Sequence, residues 1–215
     1  ESMKEPLEKR VFFKYPGQTI NFSMPGITSS TPSEVVQVND SGQVITKKYE
    51  YNTQGGLTKY TDPLNREVSL NYFTNNIDLK EVRVTTYDSN TSSAVNDKIS
   101  EYTYNAQHQV LTEIGANAQP NSYTYNSIGQ IATATNANGE VYTLIYYDVN
   151  TDGISDGPLK EVRGPNTQII KSFTYDSYNR VRTITDSNND VVSFDYDNLD
   201  RVTLATYADG TTPQN

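Results

Sequence analysis

"FTYDSYNRV" (residues 173–181) recurs with the same pattern as "YTYNSIGQI" (residues 123–131) and "FDYDNLDRV" (residues 194–202). Each copy is an aromatic, one polar residue, a tyrosine, an Asx residue, two variable residues, Gly, Asn or Asp, a Gln or Arg, and a branched aliphatic. Anchored on the second aromatic, the pattern extends to Tyr51, Tyr72, Tyr104, Tyr125, Tyr146, Tyr175 and Tyr196. Four of the six gaps are 21 residues, and the other two, 32 and 29, carry insertions of 11 and 8. "VQVNDSGQV" (residues 36–44) fits a degenerate unit centred on Val38. A fixed period of this length marks a repeat architecture, in which each unit is a small supersecondary element unable to bury its own apolar face.

Two turn signals of the form Asx-x-x-Gly/Asn lie ten residues apart within a unit, for example Asn126 to Gly129 and Asn136 to Gly139. Asp or Asn at the first position bonds its own backbone two residues on, and the fourth position takes a left-handed conformation. In the six regular first turns that fourth residue is Gly42, Gly55, His108, Gly129, Asn179 or Asp200, the residue types that visit positive φ most readily. A unit is therefore turn, six-residue strand, turn and seven-residue strand, which is one β-hairpin. The longer strands alternate cleanly, Val68 with Leu70 and Tyr72, Tyr142 with Leu144 and Tyr146, Val192 with Phe194 and Tyr196. The shorter ones slip, since Ile184 follows Val181 by three and Ala134 follows Ile131 by three, which predicts a β-bulge. The expected fold class is all-β: tandem antiparallel hairpin repeats of about 21 residues in a continuous curved or spiral sheet. Residues 1–33, with "KYPGQTINFSMPG", fall outside the period as an N-terminal lead, either a strand pair or a flexible segment. Residues 34–215 form the array of about eight units, the last of them, "YADGTTPQN", expected to be truncated.

The pattern resembles the YD repeat of Rhs proteins, which is also that of teneurins and of the shell-forming components of insecticidal toxin complexes. The resemblance runs from about Val36 to the C-terminus. It implies a segment of a sheet-walled shell or scaffold, from a secreted or cell-surface protein, that encapsulates or displays another domain. The implied partner is the rest of the same larger polypeptide, both flanking repeats and an enclosed C-terminal domain. Shells of this type usually end in an Asp-Pro-x-Gly motif with aspartyl self-cleavage. Here "TDPLN" (residues 61–65) places Asn65 where that glycine would stand, inside an ordinary repeat, so autoproteolysis is not carried over.

Composition narrows the remaining classes. Seventeen tyrosines with no tryptophan suit strands joined by polar turns. The absence of cysteine excludes disulfides, a thiolate nucleophile and Cys-type zinc sites. A net charge of −9 is the wrong sign for nucleic acid or an anionic membrane, and no run is apolar enough for membrane insertion as a helix. The start "ESMKEPLEKR" has no apolar stretch of the kind a signal peptide carries.

The insertion "YDVNTDGISDG" (residues 147–157) places Asp148, Asn150, Asp152, Gly153 and Asp156 at positions one, three, five, six and nine of a calcium loop. Position twelve is Leu159 instead of a bidentate glutamate, with Glu161 the nearest acid. Both a structural calcium loop and an Asx-rich hairpin loop fit. The stretch "TTYDSNTSSAVNDK" (residues 85–98) has Asp88 and Asn90 but no following Asp-Gly, and is expected to be a flexible loop. His108, the one histidine, sits at a turn position where its counterparts are glycine, so no catalytic base is expected and no cofactor is required. Arg180 and Arg201 are expected to pair with neighbouring turns or acids. The tyrosine ladder, including Tyr49, Tyr102 and Tyr123, admits an alternative function as an adhesive or carbohydrate-binding surface, with a glycan as partner. No enzyme activity is expected.

Overall fold

A computed structural model describes residues 2–3, 10–18, 30–39, 41–88, 93–149, 153 and 156–211. Among these, every element is a strand: β1 Ser2–Met3, β2 Val11–Lys14, β3 Glu34–Val38, β4 Val44–Tyr51, β5 Leu57–Thr61, β6 Glu67–Tyr72, β7 Leu79–Asp88, β8 Ser93–Tyr104, β9 Val110–Gly115, β10 Pro120–Tyr125, β11 Ile131–Thr135, β12 Val141–Tyr146, β13 Leu159–Arg163, β14 Ile169–Tyr175, β15 Val181–Asp186, β16 Val191–Tyr196 and β17 Val202–Thr206. The chain is all-β, as the repeat requires. It divides into two compact units, Glu1–His108 with Glu113–Ala118, and Gln109–Thr112 with Gln119–Asn215.

In the first unit each strand from β1 to β8 pairs antiparallel with the next. In the second the same holds from β10 to β17. The lead segment contributes two strands, and β2 lies against β3 in register Phe12↔Val36. Residues 19–29 of the lead lie outside the described residues.

The expected bulge is present after the turns at residues 52–55, 126–129, 176–179 and 197–200, and is absent after the turn at residues 39–42, where Val38 faces Val44 in unbroken register. Thr124 faces Thr133 while Tyr125 faces Ile131, leaving Ala132 extra. The same shift leaves Thr58 extra on β5, Arg182 on β15 and Thr203 on β17. It persists beside the insertions, where Tyr72 faces Leu79 and Tyr146 faces Leu159. One extra residue restores the aliphatic at the strand start to the tyrosine face, which is why the sequence spacing there is three instead of two.

The stretch 85–98 departs from the expected loop. Thr85 to Asp88 continue β7 and Ser93 to Lys98 begin β8, with Thr85↔Asn96 and Thr86↔Val95 in register. Threonine and valine in this stretch favour a pleated ladder, so the inserted residues lengthen a hairpin instead of widening its turn. Only residues 89–92 of it lie outside the described residues.

Neither unit carries a second layer among the described residues. No apolar side chain is fully buried, and the one buried polar residue is Asp78 at 9% exposure. The core is a half-buried stripe along one face. Cross-strand aromatic contacts such as Tyr49–Tyr60, 5.4 Å between centroids, supply part of its packing. The opposite face carries polar cross-strand pairs, Thr124–Thr133 at 2.7 Å, Thr174–Thr183 at 2.6 Å and Lys59–Glu67 at 2.8 Å.

The left-handed positions fall where the turn pattern puts them: Gly42 (82°), Gly55 (85°), His108 (63°), Gly129 (89°), Asn179 (64°) and Asp200 (61°). Two others carry poor residues for that conformation, Ala118 (59°) and Thr167 (63°). In those turns glycine stands first, at Gly115 and Gly164, and the strained residue closes the i to i+3 hydrogen bond. A β-branched residue at positive φ is costly, so Thr167→Asn is expected to raise stability by about 1 kcal/mol in urea unfolding. An unchanged midpoint would show that the turn relaxes around threonine.

Candidate functional site: a tyrosine ladder and a spine of stacked turns

Five of the seven repeat tyrosines share one geometry. The hydroxyl of Tyr72 donates to the Leu57 carbonyl at 3.0 Å, Tyr125 to Val110 at 2.7 Å, Tyr146 to Ile131 at 2.9 Å, Tyr175 to Leu159 at 2.8 Å and Tyr196 to Val181 at 2.8 Å. Tyr51 reaches the Pro32 carbonyl at 3.2 Å. In the five that share the geometry the acceptor is the aliphatic residue that begins the shorter strand of the same hairpin, 15 residues back in four cases and 16 in the fifth, so the tyrosine at the end of the longer strand fastens its hairpin closed. This explains why the second aromatic is always tyrosine whereas the first varies among Tyr49, Leu70, Tyr102, Tyr123, Leu144, Phe173 and Phe194. Only the second needs a donor. Burial pushes the phenols of Tyr51, Tyr125 and Tyr146 up, which keeps them protonated donors.

The first turns form a second continuous feature. The Asx side chain accepts two backbone N–H groups: Asn126 from Ile128 at 3.2 Å and Gln130 at 2.9 Å, Asp176 from Tyr178 at 2.9 Å and Arg180 at 3.0 Å. The residue four positions on then answers in kind. Asp62, Asp176 and Asp197 receive the Nε of Arg66, Arg180 and Arg201 at 2.6, 2.8 and 2.7 Å. Asn39, Asn126 and Asn136 donate to Gln43, Gln130 and Glu140 at 3.2, 2.9 and 2.6 Å. In these six turns an acid at position one is matched by arginine at position five and an amide by an acceptor, whereas Asp186 is followed by Asp190 and Asn52 by Gly56.

These fifth residues also reach the next turn. Gln109 donates to the Gly129 carbonyl at 2.7 Å, Gln130 to Gly157 at 2.9 Å, and Arg180 to the Asp197 carbonyl and the Asp200 carboxylate, both at 2.9 Å. The Arg180 guanidinium lies 4.6 Å from the Tyr196 ring centroid, which ties spine to ladder. In the first unit Asn52 donates to the Asn76 carbonyl at 2.9 Å. His108 Nδ1 lies 3.0 and 2.9 Å from the two Asp78 oxygens, and Asn75 donates to the same carboxylate at 2.7 Å. Burial pushes the Asp78 carboxyl up, but hydrogen bonds from His108 and Asn75 outweigh it and hold it below the usual range. The histidine clamps the turn at residues 73–76 to that at residues 105–108, and the clamp accounts for the one buried polar residue.

Asp197 is held low by its backbone hydrogen bond from Arg201 and then by the Arg201 side chain. Asp62 and Asp176 also lie below the usual range, burial being outweighed by backbone and side-chain bonds from Arg66 and Arg180. A depressed folded-state value means their contribution is complete above the ordinary aspartate value of about 4 and is lost as pH falls below it. The double substitution Asp176→Asn with Arg180→Gln reproduces the Asn126–Gln130 pairing, which does not titrate. It is expected to shift the acid unfolding midpoint to lower pH, read by circular dichroism; an unmoved midpoint would assign the acid limb to other carboxylates.

Of the calcium-loop residues, Asn150 and Asp152 lie outside the described residues. Asp148 Oδ2 accepts the Gly153 N–H at 2.9 Å, and Asp156 Oδ1 accepts the Val149 N–H at 3.3 Å. Asp148 Oδ1 is buried without a hydrogen-bond partner. No group of three or more His, Cys, Asp or Glu residues poised for a metal occurs among the described residues.

The family model "RHS Repeat" matches residues 175–212, the stretch that holds "YDSYNRV" (residues 175–181) and "FDYDNLDRV" (residues 194–202). No curated protein matches. Among solved structures, the crystal structure of TcdB2–TccC3–Cdc42 aligns with a TM-score of 0.64 at 14% identity, over 96% of this chain and 11% of that one. TcdB2–TccC3 without its hypervariable C-terminal region aligns at 0.65 and 14% over the same shares, 96% and 11%. The Tc holotoxin pore of Photorhabdus luminescens aligns at 0.62 and 13%, again over 96% and 11%. The chain thus spans about a tenth of the proteins whose fold it shares.

Proposed function

We propose that this chain is a non-enzymatic wall segment of a larger secreted or cell-surface polypeptide, in which YD-repeat hairpins encapsulate or display another domain. The observation that carries this reading is fastening both within and between hairpins. A tyrosine hydroxyl bonds the start of the other strand of its own hairpin, and at Gln109, Gln130 and Arg180 the fifth turn residue bonds the turn ahead. Such a sheet extends by repetition and holds its shape with few buried side chains, which is what walling off a volume requires. The single histidine is engaged by Asp78, so the turn clamp absorbs the residue most suited to acid–base chemistry. The glycan reading is less favoured, because the hydroxyls of Tyr51 and Tyr125 are engaged with carbonyls and that of Tyr102 with Glu113.

Limited proteolysis of the full-length parent, followed by size exclusion and intact mass, tests the wall. A downstream segment that stays bound and protected supports it. Complete digestion of that segment while the repeats survive overturns it.

We further propose that the insertion at residues 147–157 takes a structural calcium ion, on the strength of the unpartnered Asp148 oxygen. Calcium titration calorimetry is expected to show binding that Asp148→Asn abolishes, and no heat at millimolar calcium removes the idea.

A further inference from the structure

Lys48 breaks a pattern that the other hairpins keep. Three residues before the repeat tyrosine stand Ser69, Ser122, Thr143, Ser172 and Ser193, with Glu101 and Lys48 as the exceptions. The cross-strand pairs Ser122↔Thr135, Ser172↔Thr185 and Ser193↔Thr206 are hydroxyl on hydroxyl, and Lys48↔Thr61 is their counterpart. The sheet is satisfied by a small hydroxyl residue at this position, so the ladder does not account for an ammonium group. Nor is that group neutralised. On the polar face Lys14 pairs with Glu34, Lys59 with Glu67 and Arg83 with Glu81. Lys48 makes no hydrogen bond or ion pair among the described residues.

Lys48 lies in a trough of about 320 Å³, floored by Val44, Thr46 and Lys48 along β4 and walled by Glu34 on one side and Thr61 with Pro63 on the other. Glu34 stands directly opposite Lys48 across the β3–β4 pair, where side chains start about 5 Å apart, yet the two are not joined. Glu34 commits Oε2 to Lys14 at 3.3 Å, and its Oε1 has no partner among the described residues. The hydroxyls of Thr46 and Thr61 have none there either. Asp62, which also borders the trough, is spent on Leu64, Arg66 and the turn between them. The trough thus offers one unused cation, one unused carboxylate oxygen and two unused hydroxyls, a set that matches a small molecule carrying one charge of each sign.

We propose that this trough binds a free α-amino acid with an apolar side chain. Its carboxylate sits on Lys48 Nζ and the threonine hydroxyls, its ammonium on Glu34 Oε1, and its side chain on Val44, which is 60% exposed, and Pro63. A dianion such as phosphate is disfavoured, because the Glu34 and Asp62 carboxylates flank the single lysine. The volume is at the small end for ligand clefts, which suits one amino acid and not a chain of them. The site stands apart from the wall reading and survives if that reading fails.

The test is an amide NMR titration of the full chain with L-leucine, leucinamide and N-acetylleucine. The expected result is saturable shifts confined to residues 34–38, 44–48 and 61–65, with L-leucine binding about tenfold more tightly than either analogue, as loss of one charge-assisted contact implies. Lys48→Ser rebuilds the hydroxyl pair of the other hairpins, so it is expected to keep the urea midpoint and to weaken leucine about tenfold. Glu34→Gln is expected to bring leucine down to the level of N-acetylleucine. N-acetylleucine binding as tightly as leucine makes a lone carboxylate, such as a peptide C-terminus, the ligand and overturns the proposal as stated. Leucinamide binding as tightly as leucine overturns the role of Lys48. Shifts that do not saturate, or that persist unchanged in Lys48→Ser, overturn the site. A lowered urea midpoint in Lys48→Ser shows that the lysine is structural and overturns the premise.

Discussion

Gly157→Ala is expected to destabilise the second unit by about 2 kcal/mol, the range for overpacking a site that cannot relax. A Cβ there would stand 2.8 Å from the Tyr147 carbonyl oxygen, 3.0 Å from Tyr147 Cβ and 2.6 Å from Val149 Cγ2. The valine can rotate away, but the carbonyl cannot. It accepts the Gly157 N–H at 2.7 Å, Tyr147 N–H donates to Pro158 O at 3.0 Å, and Gly157 O receives Gln130 at 2.9 Å. Moving the backbone at this point opens the neck of the insertion and breaks the link to the turn before it. Gly139→Asn is the control, because that position has positive φ and nothing within 4 Å of a Cβ. It is expected to change stability by only a few tenths of a kcal/mol. Urea unfolding of both variants, with hydrogen exchange in β12 and β13, checks the contrast; equal effects would show that the neck is not a close contact.

The turns were legible because their chemistry is local. Asx at position one and Gly, Asn, Asp or His at position four state the conformation within four residues, and those positions carry the positive φ. The bulges were legible for a related reason, since a spacing of three between Val181 and Ile184 breaks strand alternation unless a residue is skipped. The turns ending at Ala118 and Thr167 were not, because glycine has moved to their first position and the strained fourth residue gives no compositional sign. The pairing of Asp with Arg and Asn with Gln four residues on was present in the sequence and is found by reading positions one and five together. The tyrosine acceptors lie on the other strand of the hairpin and are backbone carbonyls, which no residue type announces. The half-buried character of the stripe was equally hidden, since alternation says which residues share a face and not whether anything covers it. At residues 85–98 the signals conflict, Asx and Ser suggesting a loop while Thr and Val pair across the lengthened hairpin.

Removing a ladder hydroxyl should then cost more than removing a neighbouring one of the same kind. Tyr146→Phe is expected to lose about 1 kcal/mol, the net worth of a hydrogen bond whose acceptor is part-shielded from water. Tyr146→Ala is expected to lose about 3 kcal/mol, at the low end for an aromatic truncation because the ring is only half-buried. Tyr123→Phe makes the same chemical change two residues before Tyr125, at a first-aromatic position whose hydroxyl has no hydrogen-bond partner among the described residues, and is expected to be nearly silent. Urea unfolding reads the three variants, and hydrogen exchange reads where the loss falls. A repeat array couples each unit mainly to its neighbours, so the Tyr146 variants should speed exchange at β11 and β12 and leave β15 to β17 protected. Equal losses for Tyr146→Phe and Tyr123→Phe would mean that the hydroxyl bonds add nothing to holding hairpins together. The constancy of the second aromatic would then need a reason outside the sheet, and the exposed edge of the ladder would be the place to seek it.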